Sequence, residues 1–167
     1  VLAESSPFIR ADGLDKVTGS GRYAADLTLT GMLTAKFLYP EVAHARITKL
    51  DVSAAQAIPG VFAVLTHEDM PDTRYSSGHR QTTVADRTLF AKDVIRFEGE
   101  VVAGVAAVSD VVAQQARDGI IFGDEALPVV NDIEEALQSD SPLVHEAWET
   151  YAADDDVARD GNAASFT

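Results

Sequence analysis

Cysteine is absent from the 167 residues, and tryptophan occurs once. Without thiols the chain forms no disulfide, offers no thiolate nucleophile and ligates no iron–sulfur cluster of its own. Long apolar runs are missing too: no stretch approaches the ~20 apolar residues a membrane-spanning helix needs. Positive charge is scarce, with 13 Lys and Arg against 27 Asp and Glu, a net charge of −14. The deficit is local. Through Arg96 bases and acids balance at eleven each, whereas Phe97 to Ala158 carries fifteen acids and one base, Arg117. An acidic half of this kind repels phosphate backbones, which excludes nucleic acid as an expected partner. It reads either as a solvated face or as a docking surface for a basic partner. The first residues, Val-Leu-Ala-Glu-Ser-Ser-Pro, contain neither an initiating Met nor a signal peptide, and Val1 reads as a cut end.

What remains is an ordinary globular composition, 46% apolar and 24% charged, in a chain long enough for one domain with a core. The strongest pattern runs from Phe97 to Pro128. Glu98-Gly99-Glu100 reads as a turn, and the short apolar run Val101 to Val108 as a strand covered on both faces. Ser109 or Asp110 supplies a helix cap. Val112, Ala113, Ala116 and Ile120 recur at three and four, giving one narrow apolar stripe. Gly119 is placed for a left-handed helix end, after which Ile120-Ile121-Phe122 resumes as a strand.

A similar strand–helix–strand unit occupies 45–65. Ala45 to Asp51 alternates, Ser53 caps a helix over Ala54 to Ile58, Pro59-Gly60 breaks it, and Val61 to Leu65 is extended. Met32 to Tyr39 reads as a further strand, and Asp132 to Leu137 as a capped helix with acids in its first turn. Two such units predict the α+β class, a mixed sheet with short Ala-rich helices packed on it. Between them, residues 67–93 form a long irregular excursion of the kind that carries function or is ordered by a neighbour. Arg10 to Asp26 reads as an extended loop with Tyr23 as its anchor in the core. Residues 1–9 read as a disordered lead, and the stretch from Tyr151 lacks the apolar residues to fold alone.

Candidate chemistry is thin. Gly19 and Gly21 suggest a phosphate cradle, yet no strand precedes them and no helix is expected to follow. His67-Glu68-Asp69 has metal-ligand residues, but neighbours on a turn point apart and no second His lies at i+4. His44, between two alanines, reads as a core histidine satisfying backbone groups; His145 falls in an extended piece, Leu143-Val-His-Glu. Ser76, Ser77 and His79 caricature a nucleophile–base pair without an elbow or an oxyanion donor. Glu98 and Glu100 flank a glycine and point to one side, as proton-sharing carboxylates do, though solvation is the plainer reading. No residue is expected to be catalytic, cofactor-binding or metal-binding.

In order and spacing, a set of motifs resembles the amino-terminal α/β-hammerhead segment of the molybdopterin-binding large subunit of the xanthine dehydrogenase and aldehyde oxidase family. The set comprises Arg10-x-Asp12-Gly13-x-Asp15-Lys16-Val17-Thr18-Gly19, Tyr23-x-x-Asp26, Gly31-Met32-Leu33 and Ala43-His44-Ala45-Arg46-Ile47. It continues with Asp51 to Ala55, Pro59-Gly60-Val61, Gly99-Glu100-x-Val102-Ala103 and Leu127-Pro128-x-Val130. Pro40 and Asp124 depart from the usual Ser and Tyr, as surface variation. The resemblance implies a hammerhead domain over 10–146 and a linker over 147–167 toward a missing molybdopterin-binding domain. It implies a cytoplasmic parent oxidoreductase that hydroxylates an aldehyde or N-heterocycle with water-derived oxygen. That parent uses molybdopterin, with Fe–S clusters and often FAD in partner domains or subunits. The family's cofactor contacts and its base lie beyond this segment, so the segment binds none of these groups and is inactive alone. Its implied partners are the remaining molybdopterin-binding domain and the iron–sulfur domain or subunit. The rival reading is a stand-alone binding or scaffold module that recognises its partner through 67–93.

Overall fold

The computed structural model describes residues 10–76, 84–153 and 157–166 and divides the chain into two compact units, 1–32 and 33–167. Within the first, Gly13–Thr18 forms a short helix, α1, where an extended loop was expected. Local polar bonds explain it: Lys16 pairs with Asp12 at 2.8 Å, the Thr18 hydroxyl donates to Leu14 O at 2.8 Å, and Gly19 closes the end at φ +73°. Tyr23 is 59% exposed and anchors no core.

The second unit holds β1 (Thr34–Leu38), β2 (Ala45–Asp51), α2 (Ser53–Gln56), β3 (Val61–Leu65), β4 (Val94–Ile95) and β5 (Ala103–Ala107). After these come α3 (Asp110–Asp118), β6 (Ile121–Ala126), α4 (Ile133–Ala136), β7 (Val157–Asp160) and β8 (Ala163–Phe166). The α+β class and the short Ala-rich helices are as the sequence predicts. The mixed sheet resolves into two three-stranded sheets, ordered β1-β5-β3 and β4-β2-β6, and a β7-β8 hairpin, with every pairing antiparallel. Each strand–helix–strand unit crosses between the sheets: β2 and β6 pair in one, β3 and β5 in the other. A helix that ends over one sheet and feeds the other replaces the parallel crossover of a single sheet.

The core lies where α2 and α3 meet the β1-β5-β3 sheet. Ala113 and Ala116 are fully buried against Ala55, Val105 and Ala107, and Ile120 closes the stripe. Alanine on both helix and strand brings the backbones close, which is why the stripe is narrow. Ser109 caps α3, its hydroxyl accepting from Val112 N at 3.3 Å. Gly119 is right-handed at φ −81°, contrary to the expected left-handed end; its N–H instead donates to Gln115 O and Ala116 O. A second cluster of Ala91, Ile95 and Val102 underlies the β4-β2-β6 sheet.

Beyond Tyr151, where no folding was expected, the described residues form the β7-β8 hairpin. Tyr151 itself is 4% exposed. Polar bonds substitute for the missing apolar residues. Arg159 donates to Trp148 O at 2.9 Å and Tyr151 O at 2.7 Å, and the Asn162 side chain bonds Val144 N and Pro142 O. Residues 1–9, read as a disordered lead, lie outside the described residues.

Candidate functional site

Four segments converge on a cleft of about 480 Å3 lined in part by Asp86, Ile133, His145, Tyr151, Arg159 and Asn162. Val84 pairs with Ala153 and Ala85 N donates to Ala152 O at 2.8 Å, which ties the described end of the 67–93 excursion to the segment before the hairpin. His145 Nδ1 and the Tyr151 hydroxyl are 3.2 Å apart, their rings edge-on at 5.5 Å. The Arg74 guanidinium lies 4.5 Å from the centre of the Tyr151 ring, and Arg96 Nε donates to Val144 O at 3.1 Å. Burial pushes the His145 pKa down, and the charges of Arg96, Arg74 and Arg87 push the same way against Asp86. The imidazole is therefore held neutral near pH 7. It has no nucleophile among its bonded partners, and Arg159 and Asn162 are occupied by backbone groups. Among the described residues, the polar groups of the cleft hold chain segments together.

The described residues among those singled out in the sequence stand in separate places. His44 is buried, with Nδ1 at 2.5 Å from Pro128 O, the core role expected of it. His67, Glu68 and Asp69 form a single 3-10 turn whose Asp69 carboxylate accepts from Thr66 N at 2.8 Å, so this carboxylate caps a turn. No group of three or more metal-ligating side chains occurs among the described residues. Glu100 bends back to accept from Arg96 N at 2.6 Å; burial raises its pKa, partly offset by that bond and by Arg96 and Arg87. The Gly19 and Gly21 N–H groups donate to Lys16 O and Asp15 O. Ser77 and His79 lie outside the described residues. His145 carries the best-defined polar environment, and only the Trp and Tyr that follow it in sequence hinted at this.

A further feature is apolar. In the β1-β5-β3 sheet, Phe37, Gly104 and Leu65 stand in one cross-strand row on the face away from Val105 and the helices. Gly104 leaves room for the Phe37 ring, since an added Cβ would meet it at 3.1 Å. Phe37 and Tyr39 pair at 6.1 Å and stay 42% and 51% exposed, and Leu65 is 40% exposed. Buried Phe90 covers part of the row; among the described residues of this unit nothing covers the rest.

The sequence profile of the aldehyde oxidase and xanthine dehydrogenase a/b hammerhead domain matches residues 18–121. The chain belongs to this family. Similar relatives include the xanthine dehydrogenase molybdenum-binding subunit of Escherichia coli O157:H7, 35% identical over 82% of this chain and 19% of that protein. The carbon monoxide dehydrogenase large chain of Afipia carboxidovorans is 36% identical over 82% of this chain and 17% of its own. Among solved structures, quinoline 2-oxidoreductase of Pseudomonas putida 86 superposes with a TM-score of 0.68 at 40% identity, over 78% of this chain and 17% of the other. The chain thus spans about a fifth of the length of these hammerhead relatives. The match favours the large-subunit segment over a stand-alone module. In the loop that suggested a phosphate cradle, the Gly19 and Gly21 N–H groups are spent on carbonyls.

Proposed function

We propose that the chain is the structural hammerhead segment of the large subunit of a molybdenum hydroxylase. In this reading it supplies no reacting group and packs against the remainder of the subunit. The parent hydroxylates an aldehyde or N-heterocycle with water-derived oxygen in the cytoplasm, using molybdopterin held elsewhere. Fe–S clusters, and in many such enzymes FAD, sit in the partner domains or subunits. The observation that supports the reading is the open row of Phe37 and Leu65 across Gly104, with Tyr39 beside Phe37, on one face of a sheet whose other face carries the core. An exposed aromatic face of this kind marks an interaction surface in a chain otherwise rich in charge. The test is complementation. The 167-residue chain is co-expressed with a family large subunit whose own hammerhead segment has been deleted. A stable complex with restored hydroxylase activity is expected, and Leu65→Asp should abolish the complex while leaving far-ultraviolet circular dichroism unchanged. Failure to associate, or association unaffected by Leu65→Asp, refutes the reading.

A further inference from the structure

The described residues around Tyr75 and Arg87 make a patch unlike the rest of this acidic chain. The two residues pair through their backbones, with Tyr75 N donating to Arg87 O at 2.9 Å and Arg87 N to Tyr75 O at 3.1 Å. The Arg74 guanidinium stacks on Tyr151, and that of Arg87 lies 5.5 Å from the centre of the Phe97 ring. Tyr75, Phe97 and Leu89 are 43%, 45% and 51% exposed. Acids outnumber bases 27 to 13 in this chain, yet neither arginine forms an ion pair among the described residues. Arg74 meets Asp86 only at its backbone oxygen, 3.1 Å away, and the Glu100 carboxylate is taken by Arg96 N.

A guanidinium held over a ring keeps N–H donors at its edge for a carboxylate, and the contact limits the fork's freedom in advance. Exposed aromatic residues beside arginine are also the composition of interface anchors. We propose that the patch of Arg74, Tyr75, Arg87 and Phe97 docks an acidic polypeptide segment. Its carboxylates meet the two guanidinium edges, and an apolar side chain covers the exposed rings. Charge complementarity selects this occupant. Arg74 and Arg87, without an acidic partner among the described residues, call for carboxylates, and a free phosphate would leave the rings in water. The proposal names residues other than those of the Phe37–Leu65 row and does not rest on the parent's chemistry.

The test uses the 167-residue chain with two labelled peptides of equal length, one alternating Glu and Leu, the other Gln and Leu. Fluorescence anisotropy should show the Glu peptide bound roughly tenfold more tightly, with the preference fading as salt is raised from about 0.05 to about 0.5 M. Arg87→Gln should weaken Glu-peptide binding roughly tenfold, Arg87→Lys should weaken it less, and Arg46→Gln, at an exposed strand position, should leave it unchanged. Circular dichroism of each variant verifies folding. Equal binding of both peptides, an Arg87→Gln variant that binds like the parent chain, or displacement of the peptide by inorganic phosphate overturns the proposal. So does sedimentation showing a dimer that Arg87→Gln dissolves, because the occupant is then a second copy.

Discussion

Two glycines separate backbone strain from steric crowding. Gly60 and Gly99 have nearly the same left-handed φ, +93° and +88°. Around Gly99 an added Cβ meets nothing within 4 Å, whereas at Gly60 it meets Val108 Cγ2 at 2.8 Å and Val112 Cγ1 at 3.5 Å. At Gly99 the need for glycine therefore rests on φ alone. Alanine at either position costs about 1–2 kcal/mol of backbone strain, offset by about 0.5–1 kcal/mol from a less flexible unfolded chain. The net loss for Gly99→Ala is then on the order of 1 kcal/mol or less. Gly60→Ala adds overpacking against Val108, a further cost of about 1–2 kcal/mol. Because φ is matched, the difference between the variants isolates the steric part. Urea unfolding reads it: with a slope of about 1–3 kcal/mol/M, Gly60→Ala should unfold at lower urea than Gly99→Ala by roughly 0.5–1 M. Val108 is half exposed, so Val108→Ala alone should change stability by no more than about 0.5 kcal/mol. Combined with Gly60→Ala it should recover most of the steric loss, a coupling that a double-mutant cycle measures. Equal midpoints for the two glycine variants, or no recovery on trimming Val108, would refute the reasoning.

Ala113 and Ala116 are fully buried between α3 and the sheet, so Ala116→Leu should destabilise by about 1–3 kcal/mol, read from the same urea midpoints. A variant within error of the parent chain would mean that the helix sits off the sheet. His145 has a folded pKa below its ordinary 6.5, so the unfolded chain binds the proton first as pH falls. Its contribution is fully present above about pH 6.5 and is lost as pH falls through the folded value; His145→Gln should flatten the stability–pH curve in that window. Glu100 has the opposite sense for a carboxyl. Its folded pKa lies above 4.5, so ionisation costs stability as pH rises through that range, and Glu100→Gln, which still accepts from Arg96 N, should stabilise the chain at pH 7 and remove the slope. A destabilised Glu100→Gln at pH 7 would show that the ionised carboxylate is needed.

Much of the second unit was legible because its determinants are local. The Ser109 cap, the Ala113–Ala116 stripe and the turn at Gly99 follow from side-chain oxygen placement, helical period and glycine's tolerance of positive φ. Chain order alone also carried the family motifs, since each depends on a turn or a short strand. The short α1 helix and the β7-β8 hairpin escaped notice because polar bonds, Lys16 to Asp12 and Asn162 to Val144 N, replace the apolar pattern that announces an element. What only the tertiary structure decided was partnership. Period two tells which face of a strand is buried, but not that Ala45 pairs with Ala126 while Val61 pairs with Ala107. That choice split one expected sheet into two. It left Phe37, Tyr39 and Leu65 uncovered, and Arg74 comes to lie over Tyr151 by the same kind of long-range closure. Local propensity is set by a residue and its near neighbours, whereas a sheet face or a cleft exists only after distant segments have met.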